Sequence, residues 1–315
     1  MRYLRFLLSL LISFSVIISC NNKKINAGEG YLNVTGGKIW YNVVGNGDKT
    51  PLVLLHGGPA YTSYYLNPLK ALADERPVIF YDQLGCGRSD RITDTSLMTR
   101  EHYVEELHEL LEALHIKKYF LLGHSWGSML AVDFYLKYPG GIQAMILGSP
   151  CLDAKQWMKD ADTLIASLPD SVLNILRNNI NGVQQDSAVF DNAVNIYFDH
   201  FYNRKHPLSA DIDSTNANVG ENVYEYMWGK SEFFATGTLK TFDRTPDLHE
   251  IKVPTLYTTG EFDAARPATI QAQQRLTPGA KFVIIKNAGH YTMQDNAADN
   301  LNAIRTFLHE VESKK

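Results

Sequence analysis

The stretch LLGHSWGSMLA, residues 121–131, sets Ser125 between Gly123 and Gly127 directly after an apolar run. A chain that turns sharply from a strand into a helix brings its backbone against itself. The residues two before and two after the turn must then lack a side chain. Residues 119–123, YFLLG, read as a short buried strand, and residues 128–138, SMLAVDFYLKY, read as the helix that follows. Such an elbow makes Ser125 the candidate nucleophile. A lone G-x-S-x-G also arises by chance, so the reading depends on whether the chain supplies a base, an orienting acid and an oxyanion site where this geometry demands them.

The surrounding pattern is that of a mostly parallel sheet. PLVLLHG, RPVIFYD and KYFLLG, beginning at residues 51, 76 and 118, are near-continuous apolar runs, as strands buried on both faces are. IQAMILGSP at 142, VPTLYTTG at 253 and AKFVIIKNAG at 280 supply three more. YLNVT and KIWYNVV, either side of Gly36 and Gly37, read as a hairpin. Between the runs lie helical patterns, clearest where Val104, Leu107, Leu110, Leu111 and Leu114 recur at spacings of three and four. Alternating strands and helices predict an α/β fold with a mostly parallel central sheet flanked by helices. From Cys151 to Thr245 no strand pattern survives, and aromatics such as Trp157, Tyr197, Phe201, Tyr224 and Phe233 collect. This segment reads as a helical cap, residues 151–245, inserted into a core made of residues 30–150 and 246–315.

The N-terminus reads differently. Arg2 and Arg5 precede an apolar stretch from Phe6 to Ile18, too short for a comfortable membrane span, and Ser19 and Cys20 follow. Residues 1–19 are expected to be a signal peptide. Ile17, Ile18, Ser19 and Cys20 resemble the bacterial lipobox, which makes Cys20 the expected lipidation site and residues 20–29 a tether. The expectation is an exported bacterial lipoprotein, anchored on the periplasmic side or at the cell surface. Only Cys86 and Cys151 remain, too few for a disulfide framework, and whether they pair is open from sequence. With 30 Lys and Arg against 34 Asp and Glu there is no basic footprint for nucleic acid, and no C-x-x-C or H-E-x-x-H spacing supports a metal. No cofactor is expected.

In open α/β sheets, ligands bind beyond the carboxyl ends of the strands. There the sequence places Gly57 and Gly58, Ser125, Asp263 and His290. Ser125 needs a base, and His290, after the last strand, can reach it; Asp263 can orient that imidazole. The order Ser, Asp, His is that of the α/β hydrolases. Charge developing on a carbonyl oxygen needs donors, for which the expected groups are the backbone N–H of Trp126 and that of Gly58. The Trp126 and His124 side chains are assigned no chemistry.

With HGGPA, YDQLGCGRSD, GHSWGS, MWGKSEF, GEFDAARP and NAGH in this order, the chain resembles the proline iminopeptidases and the related tricorn-interacting aminopeptidase, over roughly residues 30–313. The resemblance implies an α/β-hydrolase fold and removal of an N-terminal residue, often proline, from a short peptide or amino-acyl substrate. It also implies that Glu232 of KSEF anchors the substrate's α-ammonium. Two positions depart from the family pattern. Ala264 stands where a second anchoring glutamate often follows the catalytic aspartate, leaving Glu221 or Glu261 as possible replacements. Ala60 stands where HGGPG has its last glycine. An esterase or amidase acting on small neutral acyl substrates through the same triad is the alternative.

Overall fold

The computed structural model describes residues 25–180, 182–184 and 186–314. The expectations for a signal peptide and for lipidation at Cys20 lie outside the described residues. Among the described residues eight strands form one sheet: β1 (Gly28–Val34), β2 (Gly37–Val44), β3 (Leu52–Leu55), β4 (Val78–Tyr81), β5 (Tyr119–His124), β6 (Ile142–Gly148), β7 (Thr255–Gly260) and β8 (Lys281–Ile285). Their order is β1-β2-β4-β3-β5-β6-β7-β8. β1 and β2 form the expected hairpin, with Tyr31 opposite Trp40, and β2 joins β4 antiparallel. From β4 to β8 every neighbouring pair is parallel. β1 begins at Gly28 and Ile25 bridges Gly47, so the sheet takes in the end of the stretch read as a tether.

The apolar runs lie where the sheet is covered on both sides. Leu52, Val53, Leu54 and Leu55 of β3 and Phe120 and Leu121 of β5 are fully buried. At about 25 cal/mol per Å² of apolar area removed from water, such residues supply most of the drive to form the sheet. β8 is an edge, and Ile284 there is exposed. Helix α1 (Arg100–Ala113) starts at the Thr99 cap, whose hydroxyl accepts from the His102 N–H at 3.2 Å, and buries the predicted Val104, Leu107, Leu110 and Leu111. α2 (Trp126–Lys137) follows β5.

Between β6 and β7 lie α3 (Ala154–Ile165), α4 (Asp170–Ile180), α5 (Ser187–Phe201), α6 (Ala210–Ala217) and α7 (Glu221–Met227). A bridge between Asp153 and Asp243 closes the base of this cap. Its interior is aromatic: the Tyr197 ring lies 4.9 Å from that of Phe201 and 4.7 Å from that of Phe233. After β7 come α8 (Pro267–Leu276), α9 (Thr292–Asp295) and α10 (Ala297–Ser313). Cys86 and Cys151 are both free and buried, which answers the pairing question.

Candidate active site

Ser125 occupies φ 54°, ψ −120°, a conformation that costs a non-glycine residue on the order of 1–3 kcal/mol and persists only where its surroundings impose it. The two glycines are what impose it. A Cβ on Gly123 would meet the Gly127 carbonyl oxygen at 2.2 Å, and one on Gly127 would meet that of Leu55 at 2.1 Å. Only hydrogen fits at either place, so the chain can pass from β5 into α2 with Ser125 at the apex.

His290 follows β8 and Asp263 follows β7, as their sequence positions predict. Asp263 Oδ1 lies 2.7 Å from His290 Nδ1 and also accepts the Ala265 N–H at 2.7 Å. Oδ2 accepts the Ser149 hydroxyl at 2.6 Å, the Thr259 hydroxyl at 2.9 Å and the Gly260 N–H at 2.9 Å. A carboxylate can only accept, so His290 Nδ1 carries the proton and Nε2 is left to act as a base. Burial alone would raise the Asp263 carboxyl. His290 and the hydrogen bonds outweigh it and hold the group below its usual range. Ser125 Oγ makes no hydrogen bond among the described residues; in unliganded hydrolases this contact often forms only with substrate.

Ser125, His290, Gly58 and Glu232 line one cavity together with Tyr61, Tyr65, Tyr202 and Tyr291. Trp126 is the first residue of α2, so its backbone N–H has no carbonyl one turn back. In the HGGP loop both Gly57 and Gly58 line the cavity; the Gly57 N–H is already given to the Tyr65 hydroxyl at 2.7 Å, whereas that of Gly58 has no partner among the described residues. Gly58 has φ 120°, and a Cβ there would meet the nitrogens of Ala60 and Tyr61 at 2.6 Å. Ala60, the departure in this loop, holds φ 62° and so takes up the left-handed turn that glycine would occupy without strain. The Trp126 side chain points elsewhere, donating to Gln83 Oε1 at 2.9 Å.

The DQLGCGRS segment braces this loop and takes no place in the cavity. Asp82 pairs with Arg88 at 2.7 Å and accepts the Ser63 N–H at 2.8 Å. The Gln83 N–H donates to His56 Nε2 at 3.0 Å. Arg88 stacks on Trp40 with its guanidinium 3.3 Å from the ring centroid.

Glu232 is brought into the cavity of Ser125 by the cap. Its Oε1 accepts the Tyr202 hydroxyl at 2.7 Å, and its Oε2 accepts that of Tyr224. Burial pushes this carboxyl above its usual range, and the two phenols and His290 offset that only in part. Glu221 and Glu261 do not stand in for the glutamate absent at Ala264. Both are exposed and neither lines the cavity; Glu261 accepts the Asn287 N–H at 3.0 Å. Ala264 is buried.

Sequence reasoning missed Ser149 and Thr259 as donors to Asp263, and Tyr202 and Tyr224 as holders of Glu232. Ser149 and Thr259 sit at strand ends and could have been proposed from that position. Tyr202 and Tyr224 lie off the inward rows of their helices, Ala193, Tyr197 and Phe201 in α5 and Val223 and Met227 in α7, and nothing local pairs them with Glu232.

The sheet order, the serine elbow and the buried His–Asp pair define a serine hydrolase of the α/β class. In accord with this, the family model described as alpha/beta hydrolase fold matches residues 50–297. A proline iminopeptidase of Heyndrickxia coagulans is 39% identical over 90% of this chain and 99% of its own length. One of Saccharolobus solfataricus is 34% identical over 94% and 97%. Among solved structures, a proline iminopeptidase of Mycobacterium smegmatis superposes with a TM-score of 0.85 at 28% identity, covering 91% of this chain and 99% of that one. An esterase of Thermogutta terrifontis shares the fold alone, with a TM-score of 0.62 at 23% identity over 90% of this chain and 99% of that one. The chain belongs to the proline iminopeptidase family of α/β hydrolases.

Proposed function

We propose that this protein is a serine aminopeptidase that releases an N-terminal residue, proline or another small apolar one, from short peptides. The observation that carries the proposal is the Glu232 carboxylate in the same cavity as Ser125 and His290. A carboxylate under an aromatic cap makes a strong charge-assisted contact with a free ammonium, and a blocked amine forfeits it. Bound in this way, the substrate presents the carbonyl of its first residue to Ser125. Ser125 Oγ attacks while His290 Nε2 takes its proton, and the N–H groups of Gly58 and Trp126 receive the developing oxyanion. His290 then protonates the departing amine, and water repeats the sequence on the acyl-enzyme. Asp263 stays ionised throughout and holds the imidazole.

A panel of Pro, Ala, Leu and Phe anilides beside their N-acetylated forms tests this. Turnover of the free-amine substrates alone is expected. Equal or better turnover of the blocked ones would replace the proposal with an esterase or amidase reading. The tyrosine-lined cavity and Ala264 are the observations that favour that second reading.

We further propose export and lipid anchoring through Cys20, on the basis of Arg2, Arg5, the apolar stretch that follows and the residues just before the cysteine. Labelled palmitate should enter the full chain in a bacterial host and be lost in Cys20→Ala. Labelling that survives the substitution would sink the idea.

A further inference from the structure

A buried chain of hydrogen bonds joins the loop that carries Gly58 to the loop that carries His290, and His124 is its middle member. The Gly57 N–H donates to the Tyr65 hydroxyl at 2.7 Å, and that oxygen lies 2.9 Å from His124 Nδ1. His124 Nε2 lies 2.9 Å from the backbone carbonyl oxygen of His290. A carbonyl only accepts, so Nε2 carries a proton. Burial, with the neighbouring His290, lowers the His124 pKa to about 3, so the ring is neutral and Nδ1 is bare. The Tyr65 hydroxyl therefore gives its single proton to Nδ1 while accepting from Gly57. Each donor of the chain then has one acceptor and one direction.

Among the described residues the bond to the His290 carbonyl has no substitute. Ser149 Oγ lies 3.2 Å from the same carbonyl but 2.6 Å from Asp263 Oδ2, and its one proton goes to the nearer, charged acceptor. His124 is the side chain left to restrain the His290 carbonyl. Tyr65 is itself held from both sides: its N–H donates to the Thr215 hydroxyl at 3.1 Å and its carbonyl accepts from Gln294 Nε2 at 2.6 Å.

We infer that His124 and Tyr65 are positioning residues that set the oxyanion loop and the His290 loop in register across the elbow, through the chain Gly57 N–H, Tyr65 O–H, His124 imidazole and His290 C=O. This rests on the serine-hydrolase reading but on no particular substrate. A neutral imidazole here joins two loops that the sheet does not bond to each other, and it does so from the position directly before the nucleophile. Misplacing either loop by about 1 Å is a displacement of the size that costs on the order of 100-fold in rate.

The test compares Tyr65→Phe, His124→Phe and His124→Gln with the unaltered protein on whichever substrate that protein turns over fastest. A fluorophosphonate titration counts competent sites, so that misfolded protein does not enter kcat. The two Phe variants are expected to lose on the order of 10- to 100-fold in kcat per titrated site with little change in KM. His124→Gln, which can return a donor to the His290 carbonyl, is expected to recover most of that loss. The acid limb of kcat/KM should stay where it is in His124→Gln, since the ring does not titrate in the working range. Unchanged kcat per site in both Phe variants, or a moved acid limb in His124→Gln, overturns the inference. If the unaltered protein labels with the fluorophosphonate but ignores aminoacyl anilides, the aminopeptidase reading fails while the inference is still tested on an ester.

Discussion

Two carboxylates face this site, one buried in the core and one half-buried in the cap, and they are held differently. Asp263 receives bonds from Ser149, Thr259, Gly260, Ala265 and His290, two of them from backbone N–H groups, at the end of β7 and shortly before α8. Glu232 receives two phenol hydroxyls, from Tyr202 at the C-terminal cap of α5 and from Tyr224 in the middle of α7. Burial raises both carboxyls, yet Asp263 ends below its usual range and Glu232 above it. At Asp263 the adjacent His290 and then the other donors outweigh desolvation, whereas at Glu232 two phenols and His290 do not. A group that must stay charged through catalysis is wired to the sheet. Glu232, left short of partners, would under the proposed function have its charge completed by an arriving ammonium.

The strongest way to break this comparison is on the core side. Ser125→Ala should lower kcat by about 10⁶-fold and abolish fluorophosphonate labelling. Asp263→Asn should lower kcat by about 10⁴-fold with KM little changed, as expected where the wrong imidazole tautomer is imposed on a triad. If Asp263→Asn acted mainly on KM, the core carboxylate would be a binding group and the contrast with Glu232 would collapse.

On the cap side the loss should be smaller and selective. Glu232→Gln should lower kcat/KM for free-amine substrates by about 10- to 100-fold, the span of a charge-assisted hydrogen bond, and leave N-acetylated ones nearly untouched. Equal losses on both would show that Glu232 shapes the cavity and does not anchor an amine.

Acidity sharpens the contrast further. Glu232 must be ionised to hold an ammonium, so kcat/KM on free-amine substrates should fall as pH drops through a value above the ordinary glutamate range. Tyr202→Phe removes a bond that favours the charged form, so this limb should move to higher pH, and only for substrates with a free amine. A downward move would reverse the assigned role of the phenol. The smallest effect belongs to the cap surface. Arg177 and Asp162 form an exposed pair at 3.5 Å, and Arg177→Ala should change stability by less than about 0.5 kcal/mol in a denaturant titration.

Much of the core was readable because its signals are local. Val53 and Leu121 lie in runs that only a strand buried on both faces tolerates, and Gly123 and Gly127 mark the one place where backbone closes on backbone. Chain order at strand ends then places Ser125, Asp263 and His290 together, because a parallel sheet delivers all its carboxyl ends to one edge. The cap offered no such rule. Glu232 could be named from a resemblance, but its partners Tyr202 and Tyr224 come from two different helices, and their meeting depends on how the aromatic interior packs around Tyr197. The same limit explains the open choice of Glu221 or Glu261, which the fold leaves exposed and outside the cavity.

Sequence by itself determined the sheet and the elbow, which follow from apolar periodicity and backbone sterics within a few residues, and, through chain order at the strand ends, the positions of Ser125, Asp263 and His290. Only the tertiary structure decided which neutral groups hold them: that Tyr65 reaches Gly57 and His124, that Ser149 turns to Asp263, and that two cap phenols meet Glu232. The physical reason is range. A hydrogen bond between side chains is set by distances near 3 Å between segments far apart in the chain, and those distances exist only once the core has closed.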